Sequence, residues 1–177
     1  SKTDQPDRWT WKTGAFCLSK DDPITQLTDS DFALRLKKLN GTCCGEDSYS
    51  IVENSEQMVI AVADGVGGWR KRGVDPAKFS RCLMDQVGKV VTDAKKKIDI
   101  LLPSNEILQK SFYGLVQVYL SGKGQPFGSS TACIVSLQKR AGILDVTNLG
   151  DSGVILLRDG EIVFKSAVQQ TRFNAPY

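Results

Sequence analysis

Apolar residues recur along most of this chain at spacings that assign one element after another. Over residues 48–53 polar and apolar positions alternate, the period of a strand with one covered face. Over residues 57–63 the run Met58-Val59-Ile60-Ala61-Val62-Ala63 is continuously apolar and stops at Asp64-Gly65. A run that short, closed by glycine, reads as a strand buried on both faces rather than as a helix. Asn54, Ser55 and Glu56 separate the two segments, so they are expected to form a hairpin whose open end brings Asp47 and Asp64 into one neighbourhood.

The period then lengthens. Asp75 suits a helix N-cap and Pro76 the first helical position, and Phe79, Leu83, Val87, Val90 and Val91 fall on one stripe. A second helix is expected from Ser104 to about Gly122, with Leu108, Phe112, Leu115, Val116 and Tyr119 on its apolar face. Both read as structural cover for a sheet. Strands return over residues 131–137, 143–149, 154–157 and 161–165, and Asp159-Gly160 between the last two is a type I′ turn signal, because that pair accepts positive φ. Strands on either side of two consecutive helices predict an α+β fold, a helix-covered antiparallel sheet. Residues 1–40 carry Trp9, Trp11 and Phe16 among many charges, and Leu34, Leu36 and Leu39 suggest at most a short element. They are read as an N-terminal extension, distinct from a domain over residues 41–177.

Composition narrows the chemistry. With 177 residues, 41% of them hydrophobic, the chain suits one domain able to bury its own core without help from disulfides. A net charge of +3 without a dense basic stripe argues against a nucleic-acid partner. No apolar run approaches the roughly 18 residues that a spanning helix needs, so no membrane span is expected. Histidine is absent, which excludes Ser-His-Asp triads, Cys-His proteases and His-ligated zinc. The five cysteines, Cys17, Cys43, Cys44, Cys82 and Cys133, form neither a CxxC pair nor an even framework, and are read as buried free thiols of a reducing compartment.

Three aspartates stand out by context. Asp47 follows Cys44-Gly45-Glu46, Asp64 sits in Val62-Ala63-Asp64-Gly65-Val66-Gly67-Gly68-Trp69, and Asp151 sits in Asn148-Leu149-Gly150-Asp151-Ser152-Gly153. Each flanks a strand close to glycine, where a carboxylate and an approachable backbone carbonyl can bind one ion. Oxygen donors without histidine point to Mg²⁺ or Mn²⁺. An isolated Asp-Gly is ordinarily just a turn. Asp64 differs in following a buried strand, where an ionised carboxylate needs compensating charge or hydrogen bonds. Gly65-Val66-Gly67-Gly68 could alternatively cradle a phosphate, but neither GxGxxG nor GxxxxGK[ST] is present, and Lys71 lacks the required frame.

Together with Gly128-Ser129-Ser130-Thr131-Ala132, the segments around Asp47, Asp64 and Asp151 resemble, in order and spacing, the metal-dependent (PPM, type 2C) serine/threonine protein phosphatases. The resemblance covers residues 41–177. Gly73-Val74-Asp75-Pro76, Gln169-Gln170 and Phe173-Asn174-Ala175-Pro176 are similar to the branch with mitochondrial members, which implies the mitochondrial matrix. The family likeness implies part of an α-β-β-α sandwich of two antiparallel sheets flanked by helices, with two Mn²⁺ or Mg²⁺ ions at one end. It assigns Asp47 as a metal ligand, Asp64 as the carboxylate bridging both ions, the Gly65 carbonyl as a further ligand, and Asp151 as part of an additional, weaker position. Glu46 falls outside the first coordination shell. Asp47 and Asp64 thereby become the catalytic pair, a water activated between the ions the nucleophile, and phosphoproteins the substrates.

Two departures from the family pattern matter. A phosphate-binding arginine often precedes the first metal aspartate, but here that stretch is Gly41-Thr42-Cys43-Cys44. Arg70, with Lys71 and Arg72 beside it, is the replacement candidate. The family's later Asp-Gly and final metal aspartate have no counterpart before Tyr177. Residues 41–177 are therefore expected to be the N-terminal portion of the catalytic domain, and residues 1–177 are expected to be inactive alone. The alternative is a phosphatase-like module that binds a partner without hydrolysing it.

Overall fold

The computed structural model describes residues 9–15, 17, 44–97, 100–122, 126–172 and 175–176. Strands β1 (Asp47–Glu53) and β2 (Gln57–Asp64) form the expected hairpin, followed by a 3₁₀ turn (Gly67–Arg72) and helices α1 (Ala77–Lys97) and α2 (Ser104–Leu120). Then come β3 (Ala132–Gln138), β4 (Leu144–Leu149), β5 (Ile155–Arg158), β6 (Glu161–Lys165), β7 (Gln170–Arg172) and β8 (Ala175–Pro176). The first four strands lie side by side in chain order in one antiparallel sheet, while β5–β6 and β7–β8 form separate antiparallel pairs. The fold is α+β with antiparallel strands, as the pattern implied.

Local chemistry sets the first hairpin. The Asn54 carboxamide oxygen accepts the backbone N–H groups of Glu56 and Gln57, both at 2.9 Å, a side-chain turn that fixes the strand register. Alternation then divides the sheet. Val59, Ala61 and Ala63 of β2, with Ala132 and Ile134 of β3, pack against Leu83, Met84, Val87 and Val91 of α1 and Ile107 and Leu115 of α2. The opposite face of β2 runs from buried Met58 to exposed Val62 and Asp64, so the strand is covered on one face and only partly on the other. The Asp75 carboxylate accepts the Ala77 N–H at 3.0 Å, opening α1 where the sequence placed its cap.

Two expectations are corrected. On α2, Phe112 is 52% and Tyr119 38% exposed, whereas Ser104, Ile107, Ser111 and Leu115 are buried. The covered stripe includes two serines, one of which, Ser111, satisfies its hydroxyl by donating to the Ile107 carbonyl at 2.7 Å. A stripe half made of polar residues shifts the apparent apolar face. Cys17 and Cys44 form a disulfide rather than remaining thiols; Cys82 and Cys133 are free. The 3₁₀ turn, β7 and β8 have no counterpart in the pattern reading.

At the chain's start, the Trp9 N–H donates to the Lys139 carbonyl at 2.8 Å and its ring stacks on Trp11. Phe16, Leu34, Leu36, Leu39 and Cys43 lie outside the described residues. Among the described residues no helix is long and apolar enough to cross a membrane.

Candidate active site

Because the β1–β2 turn fixes the register, Asp47 and Asp64 are direct cross-strand partners at the open end of the hairpin. Partners of this kind project from the same face of a sheet. Both aspartates line one hollow with Ser152. Asp64 also borders a larger cleft of about 630 Å³, where Gly65, Thr131 and Asp151 join it. The structure thus gathers Asp64, Gly65 and Asp151 around one cleft and sets Asp47 beside Asp64.

Hydrogen bonds across the chain hold this corner. The Asp64 N–H donates to the Thr131 hydroxyl and the Thr131 N–H donates to the Asp64 carbonyl, each at 2.9 Å. The same hydroxyl shares a 2.6 Å hydrogen bond with that of Ser152, next to Asp151. On the far side of that loop, the Gln169 side-chain oxygen accepts the Gly150 N–H at 3.2 Å and the Gln169 N–H donates to the Gly150 carbonyl at 2.9 Å. Thr131, Ser152 and Gln169 escape a pattern reading, since each acts through partners distant in sequence. Their only mark is membership of the glycine-rich and paired-glutamine segments.

Gly65 is required by space. A β-carbon there would stand 2.7 Å from both the Glu46 and the Pro76 carbonyl oxygens, inside any permitted contact. Its N–H donates to that Glu46 carbonyl at 3.1 Å, which also accepts the Ser80 hydroxyl at 2.6 Å. The buried Glu46 carboxylate lies 2.6 Å from the Arg70 Nε, and this pairing offsets the cost of its desolvation. Arg70, the candidate phosphate ligand, is therefore engaged by Glu46. Arg72 lies over the Trp69 ring, and Lys71 is the member of the three that lines the cleft, together with Arg172 of β7.

Carboxylates and a backbone carbonyl suit a hard divalent cation. Burial pushes the Cys133 thiol above its ordinary value, and burial followed by the charge of Asp85 does the same for Cys82, so neither offers a ready thiolate. Among the described residues no group of three or more His, Cys, Asp or Glu side chains could hold an ion.

No family model matches the chain. Protein phosphatase PTC7 homologs are similar to it: that of Danio rerio is 44% identical over 144 residues, 80% of this chain and 45% of the relative. The Homo sapiens protein of that name is 42% identical over 149 residues, 83% of this chain and 46% of the relative. The Arabidopsis thaliana protein named "Probable protein phosphatase 2C 55" is 38% identical over 180 residues, 90% of this chain and 35% of the relative. The chain is a type 2C protein phosphatase homologue. This homologue spans about half the length of the PTC7 relatives it matches, 45% and 46%. The X-ray structure of the photosystem II phosphatase PBCP superposes on it with a TM-score of 0.56 and 28% identity, over 81% of this chain and 49% of that one. The phosphatase homologue therefore shares the antiparallel, helix-flanked architecture of a solved phosphatase.

Proposed function

We propose that the protein hydrolyses phosphoserine and phosphothreonine in phosphoproteins at the Asp64 cleft. The observation that carries this reading is the corner itself: Asp47 and Asp64 are register partners, and the loop bearing Asp151 is tied to the Asp64 backbone through Thr131 and Ser152. Similarity to named protein phosphatases supports it. Asp47, Asp64 and the Gly65 carbonyl would hold Mn²⁺ or Mg²⁺, with Asp151 at a further position. When bound, such ions supply the positive charge that acidifies water and neutralises phosphoryl oxygens. The protein's own share is placement: Thr131 fixes the Asp64 backbone from both sides, and the close packing of Gly65 against Glu46 and Pro76 keeps the following loop from shifting. No side chain is needed as a covalent nucleophile.

The test is phosphate release from a phosphothreonine peptide by the full-length protein, with added Mn²⁺ and with excess chelator. Turnover that persists in chelator defeats the reading. Asp64→Asn should lower turnover by at least about 100-fold, because an amide keeps the shape but loses the charge that holds cations. Its circular dichroism should match wild type. The second reading, binding without hydrolysis, draws on the sparse carboxylate set among the described residues. Purified 1–177 should show negligible turnover in Mn²⁺; turnover per site equal to the full-length protein would show that the groups present suffice.

The mitochondrial matrix is the compartment we propose, on the strength of the Gly73-Val74-Asp75-Pro76 and Gln169-Gln170 segments. The Cys17–Cys44 disulfide argues toward oxidising surroundings. Imaging of the tagged full-length protein, with thiol titration of the native material, separates the two.

A further inference from the structure

A phosphoryl dianion entering this cleft meets the carboxylates of Asp64 and Asp151, so cations must face it for binding to be favourable. The three consecutive basic residues of the 3₁₀ turn are not equivalent in this respect. Arg70 is paired with buried Glu46 and Arg72 is stacked over Trp69, which leaves Lys71 at the cleft wall. A second cation arrives from a separate part of the chain: Arg172 ends β7, three residues after Gln169, whose two hydrogen bonds clasp Gly150 beside Asp151. The clasp anchors the segment that presents Arg172 to the loop that presents Asp151. Both cationic residues are exposed, so neither charge is hidden by its own fold.

We propose that Lys71 and Arg172 are the phosphoryl-binding cations of the cleft, in place of Arg70, whose Nε is paired with Glu46. The proposal rests on the phosphatase reading for the identity of the substrate, but the binding chemistry is that of any phosphate group. Guanidinium and ammonium groups bind phosphoryl oxygens through charge-assisted hydrogen bonds, and their partial exposure moderates the gain.

The test uses the full-length protein as wild type, Lys71→Met, Arg172→Met, the double variant, and Lys89→Met on the exposed side of α1 as a control for loss of net charge. Two quantities are read: KM for a phosphothreonine peptide with neutral flanks, and the dissociation constant of inorganic phosphate measured by calorimetry in Mg²⁺. Each single cleft variant should raise both by about 5- to 10-fold, and the double variant should raise both further. Lys89→Met should stay within about twofold, because a distant exposed charge is screened. Unchanged values in the double variant overturn the proposal. So does a rise in KM confined to peptides with acidic flanks while phosphate affinity stays constant, since the cations would then read neighbouring sequence. If phosphate binding depends on Lys71 and Arg172 while wild type hydrolyses no phosphopeptide, the phosphatase reading falls and the anion site stands.

Discussion

The β1–β2 hairpin and the β5–β6 hairpin are both antiparallel pairs joined by short polar turns, yet they are held by different means. In β5–β6, Asp159 and Gly160 take φ of 52° and 87°, the double positive φ of the expected turn, but Leu157 and Ile162 are each 59% exposed. That hairpin is specified by its turn and covered by little. In β1–β2 the turn is only the beginning. Its second strand is sealed by α1, and its last residue is bound on both sides by Thr131, 67 positions later. Turn chemistry can make a hairpin; distant contacts make it precise enough to carry chemistry. The proposed site accordingly lies at the end of the first hairpin.

This comparison can be broken by mutation. The largest loss is expected from Ile107→Ala, which empties a fully buried position of α2 in the core cluster that β2 shares and should cost about 2–5 kcal/mol in urea unfolding. Gly65→Ala comes next. Its β-carbon meets two backbone oxygens at 2.7 Å, neither of which can turn aside, so about 1–3 kcal/mol of stability should be lost along with activity. Thr131→Val keeps the shape and removes the hydroxyl that serves Asp64 and Ser152, at about 1–3 kcal/mol. Thr131→Ser should recover most of that loss, which identifies the hydroxyl as the active part. Leu157→Ser in the exposed hairpin should change stability by no more than about 0.5 kcal/mol. Should Leu157→Ser prove as costly as Thr131→Val in the same unfolding assay, the two hairpins are equally supported and the contrast fails.

What was legible in the sequence follows the same division. The first hairpin, the Asp75 cap, the stripe of α1 and the Asp159-Gly160 turn depend on neighbours a few residues apart, and their signals survive in a linear reading. The covered side of α2 is not legible in the same way, because Ser104 and Ser111 occupy buried positions that apolar periodicity does not mark. The Cys17–Cys44 bridge, the Arg70–Glu46 pair and the Thr131 bonds connect residues 21 or more positions apart in a chain whose local patterns carry no trace of them. Likewise, the adjacent cations Arg70, Lys71 and Arg72 are equal in sequence. Their different partners, Glu46, the cleft and Trp69, make them unequal in space.

The register pairing of Asp47 with Asp64 has a consequence for assembly as well as for chemistry. A slip of one residue between β1 and β2 would turn one strand's side chains to the other face, parting the two carboxylates across the sheet. An ion held between them, as proposed, would stabilise only chains whose hairpin has closed correctly, and would draw the population toward that register by mass action. Cation binding would then act as a proofreader of folding, rejecting the misaligned hairpin before any substrate arrives.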